Sequence, residues 1–185
     1  ITESGRVAGR SARAVDGAGC DLGRTLLHRR GSGGVMPVAE KGRILLVRPS
    51  RLAARQFLWE LPAGTVDAGE KPLQTARREL VEETGYRAKK WTKLAEFYPS
   101  PGFLSEKMTI YVATGLTAGV ATPMEDERIA TRWFTAKDLD EMIRRGTIKD
   151  AKTNLCFLSW TLYLAEARRP VNETISPEPC AAGPT

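Results

Sequence analysis

The chain has 185 residues, 42% hydrophobic and 27% charged, with 28 Lys/Arg against 22 Asp/Glu and a net charge of +6. That length and balance describe one globular domain able to bury a proper core, with room for a small appendage. The longest apolar runs are a handful of residues, far short of the ~20 needed to cross a bilayer, so no membrane span is expected.

The first residues, Ile1 to Arg6, lack a basic start followed by an apolar block, so no signal peptide is expected, and the absent Met points to a trimmed start. Cys20, Cys156 and Cys180 are odd in number and far apart, matching neither a disulfide framework nor a C-x-x-C zinc site; the plain expectation is a reducing cytosol. His28 is the sole histidine and reads as an ordinary residue at a strand end. The Asn172-Glu173-Thr174 sequon is expected to be silent. The positive charge is uneven: residues 1–63 hold 11 Lys/Arg and 5 Asp/Glu, whereas residues 64–185 hold 17 of each. This argues against a general nucleic-acid surface and for an anionic small molecule held between a basic N-terminal part and an acidic face.

In chain order, residues 1–33 are Gly-, Ala- and Arg-rich and form an N-terminal extension, read as a few strands used in dimer contacts. Gly34–Ala39 and Arg43–Arg48 are apolar β-branched runs joined by Glu40-Lys41-Gly42, a hairpin signal. Phe57–Leu61 is a further strand, broken by Pro62-Ala63-Gly64. A helix begins near Glu70 or Lys71, with Pro72 in its first turn and Gly85 as its stop. Trp91–Phe97 and Met108–Leu116 read as strands around the loop Tyr98–Phe103. After Met124-Glu125-Asp126-Glu127 comes a strand over 129–134. Helices follow over Ala136–Arg145, closed by Gly146, and from Asp150 or Ala151 to about Arg168. The tail from Pro170 to Thr185 holds four of the 11 prolines without periodicity and is expected to be disordered. Strands and helices mix without a βαβα repeat, which favours a mixed-sheet α/β sandwich.

The informative stretch is Gly64–Tyr86. Glu79, Glu82 and Glu83 fall at i, i+3, i+4 and share one helix face, where like charges repel. Leu73, Ala76 and Leu80 mark the neighbouring face, expected to be buried. Carboxylates crowded at the edge of a core are costly unless a cation compensates them. A hard divalent ion with a preference for oxygen ligands is the natural partner. Gly64 and Gly69 let the entry loop bring its backbone close to a phosphate or metal.

These residues resemble the Nudix box, G-x5-E-x7-R-E-U-x-E-E-x-G-U with U apolar. The match falls at Gly64, Glu70, Arg78, Glu79, Leu80, Glu82, Glu83 and Gly85, with Tyr86 at the last apolar place. Seven fixed residues at fixed spacing arise by chance at a given start with a probability on the order of 10^-8. The resemblance to Nudix hydrolases covers residues 34–168. It implies a Nudix-type α/β/α sandwich around a mixed sheet, with the small N-terminal β extension outside it and the tail 169–185 beyond. It also implies hydrolysis of a nucleoside diphosphate linked to another moiety, with Mg2+ (or Mn2+).

On that resemblance Glu79, Glu83 and Glu82 bind metal together with the carbonyl of Ala63. Arg78 orients a box glutamate, and Glu70 is structural. Glu125 and Glu127 alternate around Asp126 and would point the same way if extended. The resemblance makes Glu125 the base and Glu127 an extra metal ligand, with the reverse assignment and a plain acidic turn as alternatives. Pro101, 15 residues beyond Tyr86, is similar to the marker proline of the ADP-ribose pyrophosphatase subfamily. In that subfamily's pattern Arg51 meets a phosphate and Glu106 the terminal ribose. Trp59 is a candidate to stack on adenine, with a core position as the alternative. The reading is therefore conversion of ADP-ribose to AMP and ribose 5-phosphate by a cytosolic homodimer. The alternatives are another nucleoside diphosphate sugar, or a non-catalytic sensor of such a sugar.

Overall fold

A computed structural model describes residues 7–15, 21–121 and 129–167. In chain order the strands and helices are β1 (Val7–Val15), β2 (Asp21–Arg29), β3 (Ser32–Pro37), β4 (Ile44–Arg48), β5 (Ser50–Arg51), β6 (Gln56–Phe57), β7 (Ala63–Thr65), α1 (Pro72–Thr84), β8 (Arg87–Phe97), β9 (Met108–Thr117), β10 (Ala130–Phe134), α2 (Ala136–Arg144) and α3 (Ala151–Ala167). The N-terminal extension forms one antiparallel hairpin, β1 with β2. The expected base Glu125, its companion Glu127 and the Pro170–Thr185 tail lie outside the described residues.

β3 is buried at every position, as a strand covered on both faces must be. It pairs antiparallel with β7 and parallel with β9, and β9 pairs antiparallel with β8, giving a mixed four-stranded sheet in the order β7-β3-β9-β8. Because side chains alternate across a strand, this sheet feeds two cores. Val35 and Ala113 meet Ala76 and Leu80 of α1 on one face. Met36, Val38, Ile110 and Val112 meet Leu139 of α2 and Cys156 and Phe157 of α3 on the other. This is an α/β/α sandwich. Burial pushes the Cys156 thiol up to about 12, so it behaves as a small apolar side chain.

The expected β3–β4 hairpin closes only at its tip. Ala39 N–H donates to Arg43 at 2.8 Å and Gly42 N–H to Ala39 at 3.1 Å, with Lys41 and Gly42 at φ 63° and 71°. β4 then leaves to pair with β10, because β3 already has β7 and β9 as neighbours. The strand expected over Phe57–Leu61 is likewise shorter: only Gln56–Phe57 pairs as a strand, and Glu60 makes an isolated bridge with Val47.

α1 starts at Pro72, where proline's missing N–H costs nothing, and Gln74 accepts from the Lys71 N–H at 2.8 Å. It stops at Gly85, whose φ of 74° is in the left-handed region. Its buried positions are Thr75, Ala76, Glu79 and Leu80, while Leu73 is half-buried. The buried face is thus rotated toward the carboxylates relative to the sequence expectation. Gly33 explains why: a Cβ there would lie 2.2 Å from the Pro72 carbonyl oxygen and 2.8 Å from Thr75 Cβ, so α1 presses directly on the β3 backbone.

Candidate active site

The close seating of α1 sets the first half of the site. At Gly64 on β7, a Cβ would fall 1.7 Å from Glu79 Oε1, so only a glycine lets that carboxylate lie against the strand. Arg78 gathers the acids around it. It donates to Glu79 at 2.7 Å, to Glu82 at 3.0 Å, to both oxygens of Glu70 at 3.2 Å and to the Thr65 carbonyl at 3.2 Å, with Asp67 at 3.7 Å. Burial works against its charge, but the accepting carboxylates of Glu70 and Glu82 and the charge of Glu79 outweigh burial and hold the guanidinium above its ordinary value. Glu70 is also tied to Thr75 Oγ1 at 2.8 Å and the Asp67 N–H at 3.1 Å. Burial alone would raise its carboxyl; those bonds and Arg78 hold it low. Its bonds thus join the entry loop to α1.

Arg78, Glu79, Glu82 and Glu83 line a cleft of about 160 Å³ with Ala63 and Gly64. Among the described residues no three His, Cys, Asp or Glu side chains already converge as a ready cation site. The donor chemistry still fits a hard divalent ion: the acidic residues lining the cleft are Asp67, Glu79, Glu82 and Glu83, oxygen donors throughout, and the Gly64 cradle keeps Glu79 against the cleft wall.

A second, larger cleft of about 400 Å³ adjoins the first, sharing Arg29, Arg51, Ala63 and Gly64 as walls. It contains Glu106, 6% exposed, which accepts from Ser32 Oγ and faces Arg29 at 3.6 Å. Arg29 comes from the N-terminal hairpin and also donates to Thr65 Oγ1 at 2.7 Å. Arg51 binds both oxygens of Glu60, each at 2.9 Å, and Lys152 of α3 bonds the same carboxylate. Burial would raise the Glu60 carboxyl, but Arg51 and Lys152 together hold it below the ordinary range.

Of the sequence candidates, the structure brings Arg51, Ala63, Arg78, Glu79, Glu82, Glu83 and Glu106 onto these two clefts. It does not bring Pro101 or Trp59 there. Pro101 is exposed in the turn before Leu104, and Pro99 lines the larger cleft instead. Trp59 packs edge-on against Phe134, centroids 5.0 Å apart, with Arg48 over it at 5.6 Å, and lies half-buried against the apolar core. Sequence reasoning missed Arg29, Glu60 and Lys152. A signal existed for one of them: Glu60 is a charge inside the apolar run Leu58–Leu61. His28 is exposed on β2 and lines neither cleft.

With this geometry in hand, comparison with known proteins is decisive for the family. Residues 27–154 match the NUDIX domain. The chain is 36% identical over 132 residues to an ADP-ribose pyrophosphatase of Bacillus subtilis (strain 168), covering 70% of this chain and 71% of that protein. It is 34% identical over 132 residues, with the same coverage, to a methanol dehydrogenase activator of Bacillus methanolicus. A GDP-mannose pyrophosphatase of Cronobacter sakazakii is 34% identical over 140 residues, covering 70% of this chain and 73% of its own length. A crystal structure of an ADP compounds hydrolase matches the fold with a TM-score of 0.78 over 92% of both chains at 20% identity. The chain belongs to the Nudix hydrolase family and is an enzyme of that class. Among the described residues no helix is long and apolar enough to cross a membrane.

Proposed function

We propose that this enzyme hydrolyses the diphosphate of ADP-ribose to AMP and ribose 5-phosphate with Mg2+, Mn2+ being the alternative ion. The observation that carries the reading is adjacency: an acidic cleft on α1 opens at Ala63–Gly64 onto a larger cleft that contains buried Glu106 and two arginines among apolar walls. A diphosphate bridging the two would present its charge to Arg29 and Arg51 and a sugar to Glu106. Relatives named ADP-ribose pyrophosphatase support the same choice.

In this reading Glu79 and Glu83, with Glu82 and the Ala63 carbonyl, hold the ion, and Glu127 adds a ligand. When bound, the ion supplies countercharge to the diphosphate and acidifies water. Arg78 keeps Glu79 and Glu82 turned to the cleft through its bonds of 2.7 and 3.0 Å. Glu106 accepts from the hydroxyls of the terminal ribose. The attacking water enters in line with the leaving oxygen, and Glu125 takes its proton as the new P–O bond forms and the bridging P–O bond breaks. The reading includes a cytosolic homodimer that uses the N-terminal hairpin.

A second reading, cleavage of another nucleoside diphosphate sugar, is favoured by the relatives named GDP-mannose pyrophosphatase. A turnover panel of ADP-ribose, other ADP-sugars, GDP-mannose and 8-oxo-dGTP with Mg2+ separates the two. We expect ADP-ribose to give the highest kcat/KM, with AMP and ribose 5-phosphate in equal amounts. A faster rate on GDP-mannose would establish the second reading, and substrate binding without any cleavage would leave only a sensor.

A further inference from the structure

We propose that Lys152 and Glu60 are positioning residues that allow Arg51 to pass from its protein partner to the substrate phosphate, an inference that rests on the diphosphate reading above. Glu60 is 2% exposed, and a carboxylate so deep is strongly destabilising if it loses its only cation. It has two. Arg51 donates through Nε and Nη2, each at 2.9 Å, and the Lys152 ammonium bonds Oε2. The two cations differ in burial. Lys152 is 8% exposed, also faces Asp150 at 3.1 Å, and sits on a helix end fastened by the Leu61 N–H donating to Thr153 Oγ1 at 2.9 Å. The Arg51 side chain is 46% exposed and lines both clefts.

The consequence follows from charge. When a diphosphate arrives, the Arg51 guanidinium can turn toward it while Lys152 continues to compensate Glu60. Without Lys152, the same movement would strand a buried carboxylate, so Arg51 would be held to Glu60 and lost to the substrate. Arg29 lacks this arrangement: behind Glu106 stands Ser32, a neutral hydroxyl, and among the described residues no second cation pairs with Glu106.

The test compares Lys152→Met, Lys152→Arg, Glu60→Gln and the double variant Glu60→Gln/Lys152→Met in the full chain, using the best substrate of the panel. Lys152→Met is expected to raise KM about tenfold while kcat changes less than about twofold, and Lys152→Arg to stay near the original enzyme. The double variant has no Glu60 charge to strand, and Asp150 keeps its bonds from Thr153, so its KM should return to within about threefold of Glu60→Gln alone. Lys152→Met left with normal KM, or losses that simply add in the double variant, would overturn the proposal. An arm free of turnover uses ADP as the probe and the Arg51 Nε–H resonance as the readout. The resonance should move on ADP addition in the original chain and stay fixed in Lys152→Met; equal movement in both contradicts the inference. If Lys152→Met does not fold, Glu60→Gln decides: its Arg51 resonance should already be displaced before ADP is added, and an undisplaced one overturns the idea. If no panel substrate is cleaved, the functional reading falls while the ADP arm still judges the role of Lys152.

Discussion

The two clefts handle charge in opposite ways. Around α1, one guanidinium, Arg78, is shared by Asp67, Glu70, Glu79 and Glu82. Beside α3, one carboxylate, Glu60, is shared by Arg51 and Lys152. The first arrangement sets four carboxylates around one guanidinium and suits a cation. The second sets two cations on Glu60, one of them, Lys152, also facing Asp150, and suits a phosphate at the half-exposed Arg51. A molecule carrying a diphosphate, with metal on one side and arginine on the other, fits where the clefts meet at Ala63–Gly64.

The largest effect on this contrast is expected from Gly64→Ala. The new methyl would occupy the place of Glu79 Oε1, only 1.7 Å away, and drive that carboxylate off the strand. Turnover should fall by about 10–100-fold, as when the outer supports of a metal site are lost. Stability should fall by about 1–3 kcal/mol from overpacking. Steady-state kinetics and a thermal melt read both, and unchanged turnover would show that Glu79 need not lie where it does. A smaller effect belongs to the other cleft. Glu106→Gln should raise KM for ADP-ribose about tenfold with kcat nearly constant, because it removes an acceptor used in binding. A fall in kcat alone would place Glu106 in the chemistry instead.

The smallest effect is on acid stability. Glu60 is held below the ordinary carboxylate range by Arg51 and Lys152 against the effect of burial. A depressed carboxyl stabilises the fold fully above its unfolded value of about 4.3 and loses that contribution as pH falls toward the lower folded value. Below about pH 4.3 the original chain should therefore lose on the order of 1 kcal/mol that Glu60→Gln does not. Thermal midpoints measured from about pH 6 to 3 should converge on acidification; parallel profiles would contradict the assignment.

The contrast also explains what could be read from the sequence. The α1 cleft is local: Gly64, Arg78, Glu79, Glu82 and Glu83 lie within one turn-and-helix unit, so spacing puts Glu79, Glu82 and Glu83 on one face and the box pattern adds Gly64 and Arg78. The helix limits were legible to within two residues for the same reason, since Pro72 and Gly85 act through backbone geometry. The α3 cleft is assembled from Arg29, Ser32, Arg51, Glu60, Glu106 and Lys152, on separate elements. Ion pairs between such distant positions leave no periodic trace. The hairpin expected of β3 and β4 failed similarly: its turn chemistry was correct, but the choice of neighbouring strand is tertiary. Leu73 is apolar and so expected on the core face, whereas the close approach at Gly33 rotates Thr75 and Glu79 inward.

The division of labour between the clefts is tested most directly by equilibrium binding of ADP-ribose to the Glu83→Gln protein in Mg2+, with AMP release followed in the same sample. We predict binding with an affinity near that of the original chain and turnover reduced by more than about 100-fold, because the α3 cleft is intact while the acidic cleft is not. AMP release at close to the original rate, or loss of binding by a folded variant, would contradict it.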